Sequence, residues 1–214
     1  MEQLQRDSLN HKERLYGLFE IVIALLVVLM AVSRLFYGVK ILGASMMNTY
    51  EDNDRVLAAG YLFTPEVNDI IVFDNQYYID PVTGKHTHII KRVIAAGGES
   101  IKFELGDDGD TVSLYKLTGE TWSKVDEPYI FEPMSRQHSF NRPDGHFTIV
   151  FGEAIAVPER QYFVMGDNRN HSSDSRAIGF VPREDVLAEV VMRLSQNTLL
   201  NRLIYWYYSP RTAN

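Results

Sequence analysis

The 214-residue chain has no cysteine, which excludes disulfides, thiol catalysis and thiolate metal sites and leaves the redox compartment undecided. It is short of positive charge: 21 Lys and Arg against 28 Asp and Glu give a net charge of -7 and a pI near 5.4. Nucleic acid calls for a basic face, and no basic run occurs, so the composition argues against such a partner. Internal repeats and low-complexity tracts are missing. So are a Gly-x-Ser-x-Gly elbow, a P-loop and a dinucleotide fingerprint. Helical patterning is scarce in the body of the chain, where twelve Tyr, eleven Phe and many Val and Ile favour strands.

One long hydrophobic run is present. From Leu15 to Ser33 the only charge is Glu20, and Leu35, Phe36 and Tyr37 extend the stretch beyond Arg34. About 20 apolar residues span a bilayer, so a transmembrane helix is the natural reading; Glu20 is tolerable near the headgroups at one end. The rival is a cleaved secretory signal, with Lys12 and Arg14 in its n-region and Ala31-Val32-Ser33 as a small-x-small site. The run is long for that, which favours an uncleaved anchor. Arg6, Lys12 and Arg14 before the span are nearly balanced by Arg34 and Lys40 behind it; the orientation adopted is N-terminus cytoplasmic, body outside.

In the body, Val56 to Phe63, Asp69 to Phe73 and His88 to Ala95 have strand character. Ser100 to Leu105 and Thr111 to Leu117 flank Gly106-Asp107-Asp108-Gly109-Asp110 as a hairpin. Residues 126–147 read as an extended loop region, and Thr148 to Val157 and Gln161 to Met165 return to strand pattern. Pro182 to Asp185 starts a single turn, with Val186 to Leu194 open to either helix or strand. The C-terminal Tyr205, Trp206, Tyr207 and Tyr208 suit a membrane interface or a closing element packed on the core.

Four places can carry chemistry. Ser45, in Gly43-Ala44-Ser45-Met46-Met47-Asn48-Thr49, sits in a small-residue turn where its N–H is free to donate to an oxyanion; the commoner use of such a Ser is local capping. Lys91 lies in the apolar HIIKRVIA, on one strand face with Ile89 and Val93, while Arg92 shares the other with Ile90 and Ile94. A buried lysine serves as a base near neutral pH only if its pKa falls by about 3 units; snorkelling to solvent is the plain alternative. Gly166 to Gly179 is a dense polar loop without the ligand pattern of a calcium site. His86-x-His88 lacks a third metal ligand and reads as surface histidines. No cofactor or metal is called for.

Taken in order, these segments resemble the type I signal peptidases. The resemblance rests on an N-terminal span, Ser45-Met46-x-x-Thr49, Asn68-Asp69-Ile70-Ile71-Val72-Phe73, Lys91-Arg92-Val93-Ile94, Val157-Pro158-Glu159 with Tyr162, and Gly166-Asp167-Asn168-Arg169 leading through Ser172-x-Asp174-Ser175-Arg176 to Gly179. It implies a mainly β fold: a coiled-sheet catalytic core with a smaller inserted β subdomain, plus one N-terminal transmembrane helix. The chain then divides into a cytoplasmic tail 1–14, an anchor 15–37, a catalytic core 38–100 and 156–198, an insert 101–155 and an aromatic segment 199–214. The resemblance also implies Ser45 as nucleophile, Lys91 as general base, and Ser172 orienting the lysine. Met46 packs by the nucleophile, and Gly43 stands where some relatives carry an oxyanion-donating Ser. Arg92 with Asp167 and Asp174 with Arg176 are implied as structural ion pairs.

The implied partners are signal peptides of exported pre-proteins, cut after small residues of Ala-x-Ala type, together with membrane lipid and the secretion translocon; the implied place is the plasma membrane. Three positions depart from the family pattern: Asn48 for a usual Pro, Asn68 for a Gly, and Ala96-Gly97-Gly98-Glu99 for x-Pro-Gly-Asp. Two alternatives compete: a non-catalytic relative that binds secreted or pilus subunits, and a soluble self-cleaving repressor.

Overall fold

A computed structural model describes residues 2–60, 63–79, 84, 86–130, 132–140 and 147–194, with side chains described outside 2–13, 34, 75–79 and 86–87. The C-terminal aromatic segment lies outside the described residues. The chain forms two compact units, Met1–Tyr37 and Gly38–Asn214.

In the first, helix α1 (Glu2–Leu35) contains the 20-residue stretch Arg14–Ser33, long and apolar enough to cross a membrane. Its large side chains, Leu18, Ile21, Leu25 and Leu29 among them, are exposed all round, as a lipid-facing helix requires. The helix ends at Leu35, and Phe36–Lys40 is strand β1. Phe36 and Tyr37 therefore do not prolong the apolar helix: aromatic and β-branched residues around Gly38 favour extended backbone.

The second unit is antiparallel β. Strands β2 (Arg55–Gly60), β3 (Ile70–Ile79), β4 (His86–Ala96), β10 (Gln161–Met165), β11 (Val181–Pro182) and β12 (Val186–Leu194) join β1 in one sheet of order β1-β2-β12-β3-β4-β10-β11. A second sheet uses β5 (Ser100–Leu105), β6 (Thr111–Thr118), β7 (Thr121–Lys124) and β9 (Ile155–Ala156) in the order β7-β6-β5-β9, with β8 (Met134–Ser135) also on β6. The hairpin between β5 and β6 falls where the Gly/Asp cluster places it. Gly109 takes φ +74°, and Asp108 Oδ1 accepts from the N–H groups of Asp110 at 3.0 Å and Thr111 at 2.8 Å.

Two short helices, α2 (Arg136–Ser139) and α3 (Ser175–Ile178), complete the unit. Region 126–147 is thus more than loop, since β8 and α2 fall inside it. Val186–Leu194 is strand, after a single 3-10 turn at Arg183–Asp185. The sheets share a core in which Ile94, Ala95, Phe163 and Met165 meet Ile101, Phe103 and Leu114. Each such fully buried large side chain contributes about 1.5–3 kcal/mol, so the core holds the two sheets at a fixed distance.

Candidate active site

Residues 41–54 form a loop closed at its neck by Ile41 N–H donating to Asp54 O and Asn53 N–H donating to Ile41 O, both at 2.9 Å. The loop is pegged into the sheet by Met46, fully buried with Tyr50 against Ile41, Val56, Ile70 and Ile90. Ser45, one residue before the peg, remains half-buried. Asn48 has φ +86°, which a proline, locked near -65°, cannot adopt; the Asn for Pro departure belongs to this backbone. Asn68, at φ +79°, likewise occupies a left-handed position that Gly or Asn fills readily.

Antiparallel pairing brings the other groups to this loop. Ile71 on β3 faces Lys91 on β4, and Met165 on β10 faces Arg92. The chain leaving β10 therefore passes beside Lys91 and Arg92. Lys91 is 3% exposed, and its Nζ donates to Ser45 Oγ and to Ile90 O, each at 2.7 Å. Burial lowers its pKa from 10.5 to about 8, against the opposing pull of the Asp174 carboxylate.

The ion pairs frame this contact. Arg92 grips Asp167 through two bonds, Nε to Oδ1 at 2.8 Å and Nη2 to Oδ2 at 2.6 Å, and Thr49 Oγ1 also donates to Asp167 Oδ2. Arg176 holds Asp174 the same way, at 2.8 and 2.7 Å. Burial alone would raise the Asp174 pKa, but the Arg176 guanidinium overrides it and keeps the carboxyl at about 2. Ser172 is buried, and its hydroxyl helps to hold the Asp174 pKa down. A Cβ on Gly166 would run into both Ser172 Oγ and Ser45 O, so only glycine lets these strands of chain meet.

Two residues outside the expected set matter. Asn168 N–H donates to Ser45 O at 3.1 Å, and its Nδ2 donates to Ala44 O at 3.0 Å. The Ala44 carbonyl and the Ser45 N–H belong to one planar peptide, so this side chain sets the direction in which that N–H points. The Ser45 N–H itself makes no backbone hydrogen bond among the described residues. Arg169 is fully buried and paired with Glu127 at 2.7 Å. Both residues lie within the polar box at 166–179; what was not legible is that Glu127, in the region read as loop, reaches Arg169. Gly43, at φ +87°, has its N–H on Asp52 Oδ1 at 2.8 Å and offers no side-chain donor. His88 is exposed, and the side chain of His86 lies outside the described ones.

A buried, partly deprotonated amine against a hydroxyl, with a backbone N–H oriented nearby, can perform acyl transfer through a serine. Residues 15–195 match the family described as signal peptidase, peptidase S26. Over 154 residues the chain is 33% identical to a probable signal peptidase I-1 of Synechocystis, covering 70% of this chain and 66% of that relative, just under two thirds of its length. It is 33% identical over 161 residues to signal peptidase I S of Bacillus subtilis, 73% of this chain and 74% of that one. The crystal structure of a signal peptidase I from Enterococcus faecalis is 27% identical with a TM-score of 0.33, covering 61% of this chain and 98% of the other.

Proposed function

The chain belongs to the signal peptidase family, peptidase S26, and from that premise we propose that it is a membrane-bound serine endopeptidase. Its substrates would be exported pre-proteins, cut after small residues of Ala-x-Ala type to release their signal peptides. The observation that carries this reading is the 2.7 Å contact between Lys91 Nζ and Ser45 Oγ, made by an amine whose burial keeps its pKa near 8. With Lys91 charged, the ammonium donates to the hydroxyl. Once Lys91 loses its proton the bond reverses, and Oγ–H donates to the free amine.

The reaction then runs in two stages, acylation and deacylation. Ser45 Oγ attacks the scissile carbonyl as its proton passes to Lys91 Nζ, giving a tetrahedral oxyanion stabilised by the Ser45 N–H. Lys91 returns the proton to the leaving amine, the C–N bond breaks, and an acyl-enzyme on Ser45 remains. Water then attacks the ester as Lys91 takes its proton; Lys91 returns that proton to Ser45 Oγ as the ester C–O bond breaks, which frees the serine and a carboxylic acid that ionises in solvent. Ser172 acts through its neighbours to keep Lys91 aimed at Ser45. The substrate binds as an added strand beside the site, with its small side chains in shallow pockets.

On this reading α1 crosses the plasma membrane once, N-terminus inside and β unit outside, close to lipid and the translocon that delivers substrates. The test is cleavage of a purified pre-protein by the full chain in detergent. Wild type should release the mature protein and Ser45→Ala should release none above background. Equal cleavage by both would overturn the assignment, and binding without cleavage by either would point to a subunit-binding role.

A further inference from the structure

The segment Glu127–Tyr129, on the return path of the second sheet, lies outside the Ser45 and Lys91 contact, yet both loops that build the site rest on it. The Tyr129 ring receives two guanidinium groups, with Arg92 Cζ 4.1 Å and Arg169 Cζ 5.5 Å from its centroid. Its hydroxyl donates to Glu127 Oε1 at 3.1 Å and accepts from Arg169 Nη2 at 3.4 Å. Glu127 pairs with Arg169 in turn, and burial with that carboxylate beside it pushes the Tyr129 pKa up to about 12.

These contacts lead directly to the nucleophile. Arg169 Nε donates to Gly166 O at 3.0 Å, and Arg92 holds Asp167. The two arginines therefore hold Gly166 and Asp167, the residues just before Asn168, whose backbone and side chain hold the carbonyls of Ser45 and Ala44. From the Ser45 loop, Asn48 Nδ2 also reaches Tyr129 O at 3.4 Å. The same stretch is fastened farther on. Asn170 Nδ2 donates to Glu132 Oε1 at 2.8 Å, its Oδ1 accepts from Ser135 N–H at 2.9 Å, and Ser139 Oγ donates to Arg169 O at 3.0 Å.

We propose that Tyr129 and Glu127 are positioning residues for acyl transfer, a role that rests on the peptidase reading above. They lock Arg92 and Arg169, the arginines lock residues 166–169, and Asn168 then holds the Ala44–Ser45 peptide so that its N–H faces the oxyanion. The second sheet thus supplies a strap that sets the geometry of the nucleophile from behind. Desolvated cation–π pairs and charge-assisted bonds are stiff enough for this, and small displacements of an oriented donor are costly to rate.

The experiment compares wild type, Tyr129→Leu, Tyr129→Phe and Glu127→Gln as full chains in detergent, with steady-state cleavage of a pre-protein and a thermal melt for each. Tyr129→Leu should lower kcat by about 10- to 100-fold, while KM changes less than about twofold. Its pH at half-maximal rate should match wild type, because the charges that act on Lys91, those of Asp174, Arg176 and Asp167, remain. Tyr129→Phe keeps the ring face and should restore kcat to within about threefold of wild type. Should Tyr129→Leu fail to fold, Glu127→Gln, which preserves shape, should show the same kcat loss at constant KM.

Wild-type kcat in Tyr129→Leu or, if that variant does not fold, in Glu127→Gln overturns the positioning role. So does an equal loss in the Leu and Phe variants, or a shifted pH profile. If wild-type cleavage does not depend on Ser45, the peptidase reading itself fails; an active wild type beside unimpaired variants removes the strap alone.

Discussion

On the reading proposed above, Lys91 sets function against stability at one atom. Its folded pKa near 8, against 10.5 when solvated, corresponds to roughly 3 kcal/mol of penalty on the charged form. The unfolded chain binds more protons between those two values, so stability rises with pH through that window, and below about pH 8 the full penalty is present. Cleavage should therefore be weak at pH 6, rise about tenfold per pH unit, and level off above about pH 8; a rate flat from pH 6 to 9 would exclude Lys91 as base. Lys91→Met should abolish cleavage yet raise stability by about 1–3 kcal/mol at pH 7, with a smaller gain at pH 10, measured by urea denaturation at both. The sequence showed Lys91 on an apolar strand and Ser45 in a small-residue turn, but neither is decisive alone. Their meeting depends on the register that sets Ile71 opposite Lys91 and Met165 opposite Arg92, which no local pattern encodes.

Elements were legible where their signal is local. The hairpin of β5 and β6 follows from its Gly/Asp turn and alternating burial, and β10 from an apolar run that ends at Gly166. Region 126–147 was illegible as structure because β8 and α2 span two and four residues, too short for periodicity, and are fastened by Asn170 and Asp110 from outside the region as well as by the Ser135 cap. For the same reason Tyr129 could not be singled out. Gly166 gives an element-scale test, since it is the point where the strand leaving β10 crosses the Ser45 loop. Gly166→Ala would force its Cβ onto Ser45 O and Ser172 Oγ, and overpacking of this kind costs about 1–3 kcal/mol. Its melting midpoint should fall modestly, while cleavage by the folded fraction falls at least about 100-fold, because the displaced atoms are those of the site. Gly97 offers the contrast. Its Cβ would meet the backbone of Pro158, Glu159 and Arg160 at 2.8–2.9 Å, in a turn that carries no site residue. Gly97→Ala should therefore lower stability with little change in kcat per folded molecule.

At the scale of the whole molecule, two kinds of surface share one chain. The β unit buries its apolar side chains in three clusters, whereas α1 leaves Leu15, Leu18, Phe19, Ile21, Leu25, Leu26, Val28 and Leu29 uncovered. Each large apolar side chain left in water forgoes about 1.5–3 kcal/mol, so a helix of this composition is stable only in a non-aqueous surrounding, and its 20-residue stretch matches a bilayer core. The full chain should stay with membranes through an alkaline carbonate wash. A chain beginning at Phe36, which keeps β1 and the other described strands, should appear in the supernatant and retain Ser45-dependent cleavage of a soluble pre-protein. Arg substitutions at Leu25 and Val28 together, near the middle of the stretch, should release the full chain, because each charge at the centre of a span costs about 2.5–3.5 kcal/mol on insertion scales. Recovery of the unaltered chain in the carbonate supernatant would mean that α1 is covered by protein instead of lipid.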